Sequence, residues 1–142
     1  MSDLVTIKIE NHVADVRLNR QDKYNALSPD MFKAIVAAGQ ALAHDTSVRA
    51  VVLSGEGRGF CAGLDFQGFA EMGAGPKGGI NLLQRGEGQI GNNAQMPGMI
   101  WKQVPVPVIP ALHGVAYGGG LQIALGADIR LAAPDTRLSV ME

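Results

Sequence analysis

Apolar and polar residues alternate through Val5, Thr6, Ile7, Lys8, Ile9 and Glu10, and apolar positions return at Val13, Val16 and Leu18. This alternation, with a polar Asn11-His12 pair between the runs, predicts a β-hairpin with strands over 4–10 and 13–18. The stretch from Asn19 to Asn25 is polar and reads as a loop. The period then changes. Met31, Ile35, Ala38 and Leu42 fall on one helical stripe, and Ser28-Pro29 supplies a cap and a first-turn proline. A helix is therefore expected from about Pro29 to Ala43. The β-branched run over 48–54, ended by Ser54-Gly55, predicts a third strand. Two strands, a helix and another strand specify a layered α/β fold.

Two later stretches repeat one device. The strand over 48–54 leads through Gly59-Phe60-Cys61-Ala62-Gly63-Leu64-Asp65 into a segment able to start a helix. The apolar run from Val106 to Leu112 enters a turn at His113-Gly114, and Gly118, Gly119 and Gly120 then open a segment with Leu121, Ala124 and Leu125 at helical spacing. Gly126 sits where that helix would stop. A helix whose first turn carries no side chains offers bare backbone N–H groups and the positive end of its dipole, and lets a ligand approach. Three glycines alone make no more than a flexible connection. Two such turns brought together could aim two N–H groups at one carbonyl oxygen that becomes negative during a reaction.

Between the two turns, residues 73–98 contain eight glycines and few large apolar residues. An irregular path over 73–88 is expected, grading into a helix from about Gln89 to Gln103. Gly86-Glu87-Gly88-Gln89-Ile90-Gly91 matches the dinucleotide-binding pattern G-x-G-x-x-G. That pattern needs a strand before it and a helix opening within it, and Asn81-Leu82-Leu83-Gln84-Arg85 makes a poor strand. A nucleotide-binding α/β module rests on this window alone.

Composition narrows the classes. The 142 residues, 46% hydrophobic and 18% charged, make one globular unit able to bury a core. A net charge of −1 gives no electrostatic reason to expect nucleic acid or an anionic membrane as a partner. No apolar run reaches the length of a bilayer and no N-terminal signal pattern stands out, so a cytoplasmic protein is the default expectation. A single cysteine excludes an internal disulfide. No His/Cys/carboxylate cluster has metal-ligand spacing.

Leu18-Asn19-Arg20 with Asn25-Ala26-Leu27, Phe60-Cys61-Ala62-Gly63-Leu64-Asp65, His113-Gly114-Val115-Ala116-Tyr117-Gly118-Gly119-Gly120, Ala127-Asp128-Ile129-Arg130 and Ser139-Val140-Met141-Glu142 follow one another in this order. Together they resemble the crotonase (enoyl-CoA hydratase/isomerase) superfamily over almost the whole chain. The resemblance implies an α/β fold of the repeated β-β-α superhelix kind, incomplete at the C-terminus, with residues 1–142 as an N-terminal core. It implies an acyl-CoA thioester as substrate, with coenzyme A present only as part of that thioester and no further cofactor. It also implies a homo-oligomer, trimeric or hexameric, in a longer parent protein. Family members are considerably longer, so a parent that continues past Glu142 is expected, and the piece alone is expected to be inactive.

The same resemblance assigns roles by position. The backbone N–H groups of Leu64 and Gly119 would bind the thioester carbonyl and stabilise the enolate, with Ala62, Gly63, Asp65 and Gly118 as neighbouring substrate contacts. Hydratases of the family use two glutamates. Gln122 stands where one is expected, and Glu142 matches the other. A carboxamide exchanges no proton near neutral pH. Hydration uses two groups to position water and move protons, whereas shifting a double bond needs one base. The single glutamate favours an isomerase-like role, with a hydratase or a non-catalytic acyl-CoA-binding relative as alternatives. Arg20 and Lys23 are candidates for coenzyme A phosphates. His113, Cys61 and Asp128 are read as structural, and Asp65 as either a substrate contact or a cap of its own turn.

Overall fold

The computed structural model describes residues 3–73 and 81–141. Strand β1 (Val5–Glu10) pairs antiparallel with β2 (Val13–Leu18), as the alternation predicts. The two-residue turn closes because Asn11 and His12 both take positive φ, 49° and 66°, which matches the twist of the flanking strands. The core face of β2 is Ala14, Val16 and Leu18, while Val13 is exposed beside Glu10 next to the turn of the hairpin. Helix α1 (Pro29–His44) starts where expected. Its Ser28 hydroxyl accepts the Met31 N–H at 3.3 Å, and Pro29 occupies the first turn. Met31, Ile35, Ala38 and Leu42 are all buried.

Strand β3 (Ala50–Gly55), helix α2 (Phe66–Gly73), helix α3 (Met96–Met99), strands β4 (Val108–Leu112) and β5 (Val115–Tyr117), helix α4 (Gly119–Gly126), and strands β6 (Leu131–Ala132) and β7 (Arg137–Ser139) follow in that order. One sheet has the order β1-β2-β3-β4-β6, parallel from β2 onward. A second layer is made of much shorter pieces. Leu27 bridges Leu64, Cys61 bridges Ala116, and β5 pairs with β7, all parallel. Each repeat therefore lays one strand in each layer before a helix crosses. β2 with Leu27 precedes α1, β3 with 61–64 precedes α2, and β4 with β5 precedes α4. This is a β-β-α superhelical repeat, and the buried side chains of Val16, Leu18, Ile35, Val51, Leu53, Phe60, Trp101 and Ile123 fill its interior.

The glycine-rich window departs from expectation in one respect. Residues 74–80 of the irregular path expected over 73–88 lie outside the described residues, and 81–88 run as turns. The helix expected from Gln89 begins only at Met96 and continues as a 3₁₀ turn over Ile100–Gln103. Asn92 closes a turn just before it. Its carboxamide oxygen takes the N–H of Gln95 at 3.1 Å while the Gln95 side chain takes the Asn92 N–H at 3.0 Å. These reciprocal bonds hold the turn over 93–95 that precedes the helix. The G-x-G-x-x-G window forms no dinucleotide cradle. No strand occurs at 81–85, no helix opens in 86–91, and the Gly86 N–H is already bonded to the Gln89 side chain at 2.7 Å. Among the described residues no helix is long and apolar enough to cross a membrane.

Candidate active site

The two strand-to-helix turns lie side by side. The N–H of Cys61 donates to Val115 O and the N–H of Tyr117 donates to Cys61 O, each at 3.0 Å. Gly63 has φ +89°, and a Cβ built on it would stand 2.8 Å from the Tyr117 carbonyl oxygen, so this crossing admits no side chain. Gly120 packs as closely against the backbone of Cys61.

The direction of the Leu64 N–H follows from its bridge. Leu27 uses its own N–H and carbonyl on Gly63 O (2.7 Å) and Asp65 N (3.1 Å). In a parallel pairing of this kind the residue between, Leu64, turns its N–H to the opposite side. Gly119 is the first residue of α4, so its N–H has no partner within the helix. Both residues line one cavity of about 150 Å³, together with Gln122. Leu27, Phe32, Leu82 and Ile123 make much of the remaining wall, and no carboxylate lines the cavity among the described residues.

Of the other residues singled out, Ala62 and Gly63 sit in the first turn, their backbone tied to the 24–27 loop through Ala62 N to Tyr24 O (2.9 Å) and Gly63 O to Leu27 N (2.7 Å). Gly118 caps α4 with φ 49° and ψ −120° and donates its N–H to Ser139 O at 2.9 Å. Glu142 lies outside the described residues. The residue before it does not: a Cβ on Gly118 would be 3.6 Å from Met141 Cβ. The chain therefore arrives at the glycine turn just before Glu142.

Asp65 serves its own turn. It accepts the Gly68 N–H at 3.3 Å at the start of α2 and pairs with the Arg20 guanidinium at 2.7 Å. Arg20 also donates to Ala26 O at 3.0 Å, so its guanidinium is committed here rather than held toward a phosphate. The Arg20 hydrogen bond, aided by the Gly68 N–H, holds the Asp65 carboxyl below the usual carboxylate range. A carboxyl with a depressed folded-state pKa contributes stability that is present above its unfolded pKa and is lost as pH falls through the folded value. Asp65→Asn is thus expected to flatten the acid limb of the stability–pH profile in denaturant titrations, with little change in its slope above neutrality. An acid limb as steep as that of the natural protein would contradict this.

Cys61 is fully buried, donates its thiol to Asn25 O at 3.2 Å, and has its pKa pushed up to about 12 by burial, which removes it as a nucleophile. His113 Nε2 donates to Gly57 O at 2.9 Å beside Gly114, which approaches the Arg58 carbonyl closely. Asp128 accepts the Val108 N–H at 2.9 Å and ties β4 to the end of α4. Among the described residues no group of three His, Cys, Asp or Glu is placed to hold a metal ion.

Asn25, quoted above only as part of the Asn25-Ala26-Leu27 motif, carried no role in the sequence reading. It is 0% exposed and holds a left-handed conformation with φ 56°. Its Nδ2 donates to Glu56 O, Gly59 O and Phe60 O at 3.0, 3.0 and 3.1 Å, and its Oδ1 accepts the Arg20 N–H at 2.8 Å. It stitches the polar loop to the first turn. Apart from its place in that motif, its sequence signal is an asparagine, tolerant of positive φ, in a loop that precedes an apolar residue.

Comparison with known proteins decides the family. The model of the enoyl-CoA hydratase/isomerase family matches residues 8–142. The chain belongs to this family. Relatives include the human mitochondrial Delta(3,5)-Delta(2,4)-dienoyl-CoA isomerase, 34% identical over 94% of this chain and 41% of its own length. The (E)-benzylidenesuccinyl-CoA hydratase of Thauera aromatica is 33% identical over 97% of this chain and 50% of its own. The crystal structure of an enoyl-CoA hydratase from Mycobacterium smegmatis superposes with a TM-score of 0.78 at 31% identity, covering 98% of this chain and 51% of that one. The repeated β-β-α architecture is that of crotonase-fold proteins. The chain spans about half the length of the curated relatives it matches.

Proposed function

We propose that the full-length protein acts on an acyl-CoA thioester by stabilising its enolate, and that a single carboxylate moves the proton, as in an enoyl-CoA isomerase. The observation that supports this reading is the lining of one cavity: Leu64 and Gly119, the residues whose backbone N–H groups would be the donors, share it with Gln122 and with no carboxylate among the described residues. The thioester oxygen would accept both N–H groups. Each such donor is worth about 3–4 kcal/mol when charge develops on the oxygen.

In this mechanism the Glu142 carboxylate removes a proton from the carbon next to the thioester carbonyl of a 3-enoyl-CoA. The electron pair of that C–H bond forms the new double bond, and the displaced π electrons move onto the carbonyl oxygen. The protonated Glu142 returns the proton at the far end of the dienolate, and the oxygen charge collapses back to a carbonyl. Gln122 at most orients substrate or water. Assembly as a trimer or hexamer belongs to the same family-based reading.

The test is isomerisation of a 3-enoyl-CoA measured beside hydration of a 2-enoyl-CoA. Isomerisation is expected to dominate, and Gln122→Ala to cost only about 0.5–1.5 kcal/mol of activation free energy, the net worth of a neutral hydrogen bond. Efficient hydration without detectable isomerisation would overturn the single-base reading in favour of a hydratase, the activity named for the Thauera relative. Tight acyl-CoA binding with neither reaction would favour a non-catalytic relative.

A further inference from the structure

The acyl-CoA reading leaves the length of the acyl group open, and two neighbouring hollows bear on it. The cavity shared by Leu64 and Gly119 has a volume of about 150 Å³. An apolar cavity of about that volume accepts a benzene-sized molecule, so roughly six carbons fill it. A larger open groove of about 340 Å³ runs along α1, floored by Lys33, Val36, Ala37 and Gln40. These residues follow Phe32 by one, four, five and eight positions, which places them on one side of the helix.

Phe32 lines both hollows. Across from α1 the chain alternates: Gln95 and Pro97 line the cavity, while Met96 between them lines the groove. Phe32 and Met96 are 5% and 2% exposed. Two buried side chains thus stand between the reacting end of the site and the groove.

Resting on the acyl-CoA reading, we propose that Phe32, backed by Met96, is the end stop of the acyl pocket, so that the site takes short acyl groups and removal of the ring opens it into the α1 groove. Each methylene moved from water onto an apolar wall improves binding by roughly fourfold while room remains. A tail that meets a closed wall loses that gain and must displace packed side chains. Past Phe32, the groove offers Val36, Ala37 and the aliphatic stem of Lys33 as wall.

The experiment is calorimetric binding of saturated butyryl-, hexanoyl-, octanoyl- and lauroyl-CoA to the full-length protein. Affinity is expected to rise to about hexanoyl-CoA and then to level or fall. Phe32→Ala should raise the ratio of lauroyl-CoA to butyryl-CoA affinity by at least about tenfold, and Phe32→Leu should raise it less. If Phe32→Ala does not fold, Phe32→Leu carries the test alone. Adding Val36→Glu on the groove floor should cancel the gain, which a merely loosened core would not show. Lauroyl-CoA binding tighter than hexanoyl-CoA by the full methylene increment in the natural protein would overturn the end stop. So would an unchanged ratio in the folded Phe32 variants, or a gain that Val36→Glu leaves intact. Each of these results leaves the acyl-CoA reading standing, because butyryl-CoA still binds. Failure to bind any of the thioesters overturns both.

Discussion

Glu142→Gln in the full-length protein is expected to lower turnover by on the order of 10²–10⁴-fold, the usual worth of a positioned general base, while acyl-CoA affinity stays within a small factor. The separation follows from which atoms do what. Backbone N–H groups at Leu64 and Gly119 hold the thioester oxygen in the proposed site, and a change of side chain at position 142 does not remove them. Proton transfer, in contrast, needs a group that can accept and return a proton, and the neighbouring candidate is a carboxamide. Two features bring the chain, as far as Met141, to the glycine turn. Gly118 donates its N–H to Ser139 O at 2.9 Å, and Met141 packs near Gly118. The check is kcat set beside the dissociation constant of a saturated acyl-CoA for both proteins. Turnover retained within about tenfold would remove Glu142 as the base, since it falls short of the lower bound for such a group.

Asn25→Ala is expected to cost about 3–5 kcal/mol of folding stability. The side chain is fully buried and serves four backbone groups: three carbonyls, of Glu56, Gly59 and Phe60, and the N–H of Arg20. Alanine fills none of these bonds, and each buried polar group left unpaired costs about 1–3 kcal/mol. Alanine also fits the left-handed conformation at position 25 less well than asparagine. Asn25→Asp should be similarly damaging, because a carboxylate facing three carbonyls offers them no donor. Chemical denaturation midpoints at fixed slope would measure both. A loss below about 1 kcal/mol for the alanine variant would mean that the 19–27 loop and the 59–61 turn are held by something other than this side chain.

Much of the fold was legible in the sequence, for a physical reason that also explains the remainder. The hairpin over Val5–Leu18, helix α1 and the strand at 50–55 each run long enough for a period of two or 3.6 to show, and their ends carry turn or cap residues. The second layer shows no such period, because its members are bridges at Leu27–Leu64 and Cys61–Ala116 and strands of three residues. No hydrophobic pattern can declare itself over so few positions. The helix expected from Gln89 fails for a related reason. Apolar spacing is equally compatible with turns there, and the reciprocal Asn92–Gln95 bonds hold such a turn just before Met96. The role of Asn25 was hidden for yet another cause: burial of a polar residue depends on carbonyls more than thirty positions away.

The candidate site was legible to a similar degree. Glycine spacing marked both turns, and their adjacency rests on long-range pairs such as Cys61 with Ala116 that one sequence cannot reveal. Asp65 allowed two readings from sequence, and the Arg20 pair at 2.7 Å with the Gly68 N–H shows it anchoring the first turn. Leu27 carried no site assignment at all. It nevertheless aims the Leu64 N–H by bonding to both neighbours of that residue, and it lines the cavity itself.

The central claim is that one carbonyl oxygen is held jointly by the N–H groups of Leu64 and Gly119. A crystal structure of the full-length protein with a saturated short-chain acyl-CoA tests it most directly. The account predicts the thioester oxygen within about 2.7–3.1 Å of both backbone nitrogens, with the acyl carbons between Leu27, Phe32 and Ile123. A thioester carbonyl that bonds to neither nitrogen, with the acyl group outside this cavity, would contradict it.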